Sequence, residues 1–375
     1  MQLHSKYHWP IIVLAASTGL FVVIFFIVSC FQEIQQLSCS YNFYQSALAR
    51  THINPANVKG LYLTAYSAGN SKKIEEIIDL IKRTELNSVV IDIKDYSGFI
   101  LYDSHLPFVN ENNLKDARIH DLKLLVNTLH QNKIYTIARI STFQDPLLAQ
   151  KKSEWAIKTK TGDIWRDKKG LSWVDPARHE VWDHIIAVAR EAVQLGFDEI
   201  NFDYIRYPTD GNLKDINYGS ASTTRAQIIS LFFAYTTDAL KNENVTLSAD
   251  LFGLTTERTG ADDMNIGQRL GDAVRYFDFV CPMVYPSHYP PGYMGFKNPA
   301  EHPYEVIKNS VGSGVRRTLA THGKIRPWLQ AFNVGAVYDG EKIRAQINAA
   351  QEVGASGFLL WNAANRYSAD GLLPK

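Results

Sequence analysis

From Val58 to the C-terminus, short apolar runs rich in β-branched residues alternate with longer stretches of helical period. The runs are Val58–Tyr66, Ser88–Asp95, Ile134–Ser141, Glu199–Tyr207, Val245–Phe252, Phe279–Pro286, Ile325–Phe332 and Gly357–Ala364, eight in all. Between them, "SKKIEEIIDLIKRT" puts Ile74, Ile77, Ile78 and Ile81 on one helical face behind a Ser cap. "HDLKLLVNTLHQNK" does the same with Leu122, Leu125, Val126 and Leu129. "ARHEVWDHIIAVAREAVQLG" follows a Pro and ends at a Gly, and further helices are expected near 224–241, 266–276, 303–319 and 340–353. Strands alternating with helices imply a parallel sheet built by right-handed crossovers. Eight such units predict an α/β fold of the (β/α)8 TIM-barrel type. A nucleotide-binding sheet lacks support: no G-x-G-x-x-G follows the first strand and no G-K-[ST] occurs.

The pattern before the barrel differs. Pro10 to Phe31 carries no charge and is long enough to cross a bilayer core. Lys6 precedes it and Glu33 follows, a bias that places the N-terminus inside and the rest outside the cytoplasm. The expected organisation is a cytoplasmic stub and anchor at 1–31, a stem at 32–57 and a catalytic barrel at 58–375. Ile27-Val28-Ser29-Cys30 also resembles a lipoprotein signal with Cys30 lipidated; either reading tethers the barrel at the cell surface or in the periplasm.

A barrel carries its active site at the C-terminal ends of its strands, where inward positions tolerate polar residues. In "EINFDYIRY", Ile200, Phe202 and Tyr204 form the outward set, so Asn201 and Asp203 point inward. In "VTLSADLF" the inward residues are Ser248 and Asp250; in "SVVIDIKD" they are Asp92 and Lys94. Arg139 joins them from the third strand, Met283 and Tyr285 from the sixth, Gln330 from the seventh and Trp361 from the eighth. Charge inside a barrel is costly, so three inward acids with two inward cations point to a site. Crowded carboxylates raise one another's pKa and a cation lowers it, which separates an acid from a nucleophile or base.

Other chemistry finds little footing. The formal net charge of +1 gives no basis for nucleic-acid binding. Cys30, Cys39 and Cys281 are too scattered for a disulfide framework or zinc site, and H-E-x-x-H and G-x-S-x-G are absent. No metal or cofactor is expected. The aromatic fraction of 12% matters because pyranose rings stack on flat side chains. Trp155, Trp165 and Trp173 interleave with lysines in the long segment from about Gln144 to Val174, which reads either as a solvated surface loop or as the wall of a glycan cleft.

The stretch from "AIKTKTGDIW" through "VDPARHEVWDHIIAVAREAVQLGFDEINFDYIRYPTDG", with "VVIDIKDYSG", "SADLFG" and "CPMVYPSHYPPG", resembles a bacterial family of glycoside-hydrolase-type barrels whose substrate is undefined. The resemblance covers Val58 to the C-terminus and implies a sugar-hydrolase TIM barrel distantly similar to the amylase and chitinase clans. "FDEINFDYIRYP" is similar to the chitinase fourth-strand signature, but the chitinase catalytic acid falls on Ile205, which removes that proton donor. "PMVYP" and "LLWNA" resemble chitinase segments on strands six and eight. The amylase pattern, with a nucleophilic Asp ending strand four and an acid ending strand five, fits Asp203 and Asp250 better, although the amylase acid is Glu.

The expectation is therefore a hydrolase of O-glycosidic bonds in an envelope or extracellular polysaccharide. Asp203 is the nucleophile or base, Asp250 the acid/base and Asp92 a substitute for either. Lys94, Arg139, Trp173, Asn201, Tyr285, Gln330 and Trp361 are the expected substrate-binding residues. The rivals are a glycan-binding barrel without turnover, which Ile205 favours, and a lyase or transglycosylase.

Overall fold

Ser88–Lys94, "SVVIDIK", is buried at every position, as a strand covered on both faces must be. Seven more segments share its environment in the computed structural model, which describes residues 53–218 and 223–375. The strands are β1 (Lys59–Leu63), β2 (Ser88–Lys94), β3 (Tyr135–Ser141), β4 (Glu199–Asp203), β5 (Thr246–Phe252), β6 (Phe279–Val284), β7 (Trp328–Gln330) and β8 (Phe358–Trp361). Each pairs in parallel with the next, and β1 pairs with both β2 and β8, so the sheet closes into a barrel. All eight expected runs are present, trimmed at their ends. The expected anchor at 10–31, Cys30 and most of the stem lie outside the described residues. Among the described residues no helix is long and apolar enough to cross a membrane.

Besides three short helical turns at Ala65–Ala68, Pro107–Glu111 and Pro146–Lys151, the helices are α1 (Ser71–Arg83), α2 (Leu122–Gln131), α3 (His179–Gln194), α4 (Arg225–Leu240), α5 (Leu270–Ala273), α6 (Pro303–Thr318) and α7 (Gly340–Glu352). Local chemistry starts them: Asn70 caps α1 through the Lys73 amide, Asp121 caps α2, and Thr224 with Gln227 forms a reciprocal capping box on α4. The expected helix near 266–276 is only the four-residue α5. Met264, Asn265 and Gly267 have left-handed backbone (φ 55°, 59° and 84°), which holds the preceding chain in a loop.

The outward side chains Ile91, Ile93, Ile200, Phe202, Leu247, Ala249 and Leu251 join the core beneath the helices. A separate cluster of Tyr62, Val90, Ile137, Phe279, Cys281, Trp328 and Leu359 fills the barrel interior. That interior also holds a charge pair unforeseen from sequence. Arg326 Nη1 donates to both carboxylate oxygens of Glu199 at 2.8 and 2.9 Å, and neither side chain is exposed. Its guanidinium lies 3.8 Å from the Phe279 ring centroid. Burying both charges is tolerable only because each satisfies the other.

Two excursions shape the mouth. After β2, Ile100–Tyr102 runs back antiparallel to the strand end and is followed by Lys115–Ile119. After β3, residues 144–174 fold into a small antiparallel array, with Ala156 opposite Val174, Lys158 opposite Ile164 and Arg166 opposite Ser172.

Candidate active site

The strand ends bring Arg139 to the centre of three carboxylates. Asp92 Oδ1 lies 2.5 Å from Nη1, Asp203 Oδ2 accepts from Nη2, and Asp250 Oδ2 stands 3.6 Å from Nε. All four side chains are at least nine-tenths buried. The register explains the convergence. Asp92 pairs with Arg139 across β2–β3, and Arg139 with Asn201 across β3–β4. Phe202 pairs with Ala249, which carries Asp203 to the side of Asp250 one step on. Strand neighbours stand about 4.8 Å apart, so side chains of this length meet on one guanidinium.

Each acid has a different second environment. Asp203 Oδ1 accepts from the backbone amide of Tyr204 at 2.5 Å. Tyr204 has φ 54°, a left-handed conformation unusual for a bulky residue, and it ends β4 abruptly behind the carboxylate. Asp92 accepts from the Tyr62 hydroxyl. Asp250 Oδ1 accepts from Asn201 Nδ2 at 2.9 Å and Trp328 Nε1 at 2.8 Å, which leaves Oδ2 with only the long approach to Arg139. Burial, reinforced by the neighbouring Asp203 charge, pushes the Asp250 carboxyl well above its ordinary range. Burial also raises Asp92, with Arg139 and the Tyr62 hydroxyl opposing it. The Arg139 guanidinium is desolvated, but the surrounding carboxylates and Tyr62 outweigh that and hold its proton more tightly than usual. An acid that holds its proton more tightly than usual therefore sits beside one that is ion-paired, the division of labour that two-carboxylate chemistry requires.

Aromatic rings line the same space. Trp361 stacks on Tyr62 with centroids 3.9 Å apart, and the Arg139 guanidinium lies 5.0 Å from the Trp361 ring. Tyr285 is buried, and its hydroxyl is pushed well up by burial and then by Asp250 and Asp203.

Arg139, Asn201, Tyr285, Trp361 and the three acids thus converge as expected. Three other expected residues do not join them. Lys94 is turned away because the register shifts between Asp92 and Lys94, which aligns Lys94 with outward-facing Ile140. There it is fully buried, donates to Ser141 O at 2.9 Å and pairs with Asp145 at 2.8 Å. Its charge helps burial push His184 of α3 down to about 3. Gln330 is spent on backbone: Oε1 accepts from Ser287 N, and Nε2 donates to Phe332 O and Val334 O. It holds two mouth loops together and has little left for a ligand. Trp173 is almost wholly buried; its Nε1 donates to Asp167 at 3.1 Å, and its ring carries Arg206. Trp165 is buried as well, with Nε1 donating to Asn212 O, and Trp155 stacks on Phe108 at 5.6 Å, so these rings fasten the long loop to neighbouring segments. Sequence reasoning missed Tyr62 and Trp328. Both lie at inward positions and alternation marks them, but neither is charged, so nothing singled them out.

Among the described residues no group of His, Cys, Asp and Glu could hold a metal ion. A parallel (β/α)8 barrel with paired carboxylates and a stacked aromatic floor at its strand ends has the form of a glycoside hydrolase. Residues 60–367 match the sequence family described as "Putative glycosyl hydrolase domain", and the chain belongs to that family. No curated protein sequence matches it. Among solved structures, a hypothetical protein from Ruminiclostridium thermocellum ATCC 27405 is 39% identical over 51% of this chain and 96% of its own, with a TM-score of 0.48. The PgaB (BpsB) glycoside hydrolase domain of Bordetella bronchiseptica gives a TM-score of 0.58 at 13% identity, covering 81% of this chain and 94% of that one. Alpha-L-fucosidase isoenzyme 2 of Paenibacillus thiaminolyticus gives 0.54 at 13% identity, covering 81% and 46%. At such identities these two share the fold.

Proposed function

We propose that the protein cleaves O-glycosidic bonds of an envelope or extracellular polysaccharide by a retaining, two-carboxylate mechanism. The observation that carries this reading is the sharing of Arg139 by Asp203 and Asp250, neighbours in register of which Asp203 is directly ion-paired and Asp250 has its carboxyl pushed up by burial. Adjacent strands favour the separation of about 5–5.5 Å that goes with retention over the roughly 6.5–9.5 Å of inversion. Asp203 attacks the anomeric carbon with a free lone pair, since its two donors leave each oxygen one to spare. The glycosidic bond breaks as Asp250 passes its proton from Oδ2 to the leaving oxygen. Water then attacks the glycosyl ester, Asp250 recovers a proton from that water, and Asp203 is released. Asp92 is the third candidate for either role. Arg139 limits charge build-up among the acids, and Trp361 stacks on a sugar ring.

The uncharged run from Pro10 to Phe31, between Lys6 and Glu33, supports a membrane anchor with the barrel outside the cytoplasm. A glycan-binding barrel without turnover is the second reading. Asp250 is only 1% exposed and all three acids are drawn to one cation, both of which favour it. The deciding experiment incubates the full chain with cell-envelope and exopolysaccharide preparations, counts new reducing ends, and follows the anomeric proton of the first product by NMR. New ends in the substrate's own configuration support retention. Inverted product removes the nucleophile role from Asp203, and tight binding without new ends favours the second reading.

A further inference from the structure

Three residues beyond Asp203, on the chain leaving β4, Arg206 is 8% exposed. Its guanidinium carbon lies 4.9 Å from the Trp173 centroid, 4.9 Å from that of Phe252 and 5.4 Å from that of Tyr204. Tyr204 directly follows Asp203, and Phe252 closes the strand of Asp250. The rim between the two carboxylate-bearing strands therefore carries a cation walled by three rings. Arg139 and Arg326, the other buried arginines, each meet at least one carboxylate within 4 Å. Arg206 meets none among the described residues; its hydrogen bond is from Nη1 to Tyr207 O at 3.1 Å. Its other nitrogens have no partner there and are not sealed from solvent.

A desolvated cation without an anion is costly, and ring faces return only about 0.5–2 kcal/mol. Guanidinium keeps its charge under such burial, so the rim holds an unused site for an anion. The acids nearest Arg206, namely Asp203, Asp210 and Asp167, raise the cost of placing a dianion there. One planar fork of donors matches a single carboxylate.

We infer that Arg206 binds the carboxylate of a uronic acid unit next to the scissile bond, so that the substrate is an acidic polysaccharide. This rests on the reading of the mouth as a glycan site.

The test measures binding of uronate-containing oligosaccharides (oligogalacturonate and a glucuronate-containing series) and neutral ones (cellohexaose and chitohexaose) to the full chain by calorimetry. Inorganic phosphate is the competing probe. The expected result is at least a tenfold preference for a uronate series, lost in Arg206→Gln and partly kept in Arg206→Lys, while neutral ligands bind both variants as before. Circular dichroism and melting confirm that the variants fold. Equal affinity for acidic and neutral glycans overturns the inference, as does a uronate preference that survives in Arg206→Gln. Displacement by millimolar phosphate with no uronate binding overturns it in favour of a phosphorylated ligand. An Arg206-dependent uronate preference without any cleavage keeps the inference and sinks the hydrolase reading, whereas cleavage of neutral glycans alone does the reverse.

Discussion

Trp361 lies nearly parallel to Tyr62, at 21° with centroids 3.9 Å apart, and the Tyr62 hydroxyl in turn holds Asp92. The aromatic floor and the carboxylate cluster are therefore one unit: a sugar resting on Trp361 rests on a ring braced by the site's own acid. Trp361→Ala should weaken oligosaccharide binding about two- to tenfold, from the ~0.5–1.5 kcal/mol of a ring contact beyond its buried area. The change should appear in KM more than in kcat. Tryptophan emission that does not respond to ligand, with an unaltered KM in the variant, would remove Trp361 from the site.

Asp203→Asn keeps shape and most hydrogen bonding but cannot form the glycosyl ester. Turnover should fall by roughly a thousandfold or more, with melting close to wild type, as when one member of a catalytic unit is lost. Initial rates on any substrate that releases reducing ends provide the check. A wild-type rate would move the nucleophile's role to Asp92.

Arg139 is the sole cation meeting all three acids among the described residues. Arg139→Met leaves them buried without a counter-charge, and breaking a buried pair in this way costs about 3–5 kcal/mol. The missing cation removes what holds Asp92 and Asp250 down, so their carboxyls rise further in the folded state. Stability is then fully present below the unfolded value near pH 4 and drains as pH rises through the folded values. Urea unfolding at pH 4.5 and pH 8 should show the larger deficit at pH 8. An equal deficit at both would mean that packing and not charge explains the loss.

Asp250 carries a pH signature of its own. Its folded pKa is raised, chiefly by burial, so its contribution to stability is complete below about pH 4 and is lost as pH rises through the folded value. Asp250→Asn removes that titration, so its melting temperature should fall less between pH 4 and pH 8 than that of the wild type. The alkaline limb of kcat/KM should disappear with it, and substrates with poor leaving groups should suffer most, since they need the proton. Parallel melting curves for the two proteins would show that Asp250 does not titrate in this range.

Anchoring separates the two N-terminal readings. With an uncleaved helix over 10–31, Cys30→Ala leaves both the mass and the membrane fraction unchanged. Loss of a shortened, lipid-bearing form in that variant, read by mass spectrometry of membrane extracts, would establish the lipoprotein instead.

What the sequence alone determined is what depends on near neighbours in the chain. Two-residue alternation separated Asn201 and Asp203 from Ile200 and Phe202, and the same parity placed Ser248, Asp250 and Asp92 inward. Helical spacing marked α1 and α2, because those interactions span three or four residues, while the cap of α1 is Asn70 and not the Ser that follows it. The tertiary structure decided everything that depends on register between distant strands. Arg139 gathers Asp92 and Asp203, 47 and 64 residues away, into one cluster, and Arg326 finds Glu199 across 127 residues. One irregularity in the β2–β3 register turned Lys94 out of the site that strict alternation had assigned it, since a single extra residue reverses every later side chain. Burial, with Asp203 alongside, separated Asp250 from an ordinary carboxyl, and burial left Arg206 with no carboxylate within 4 Å among the described residues; burial belongs to the folded chain as a whole.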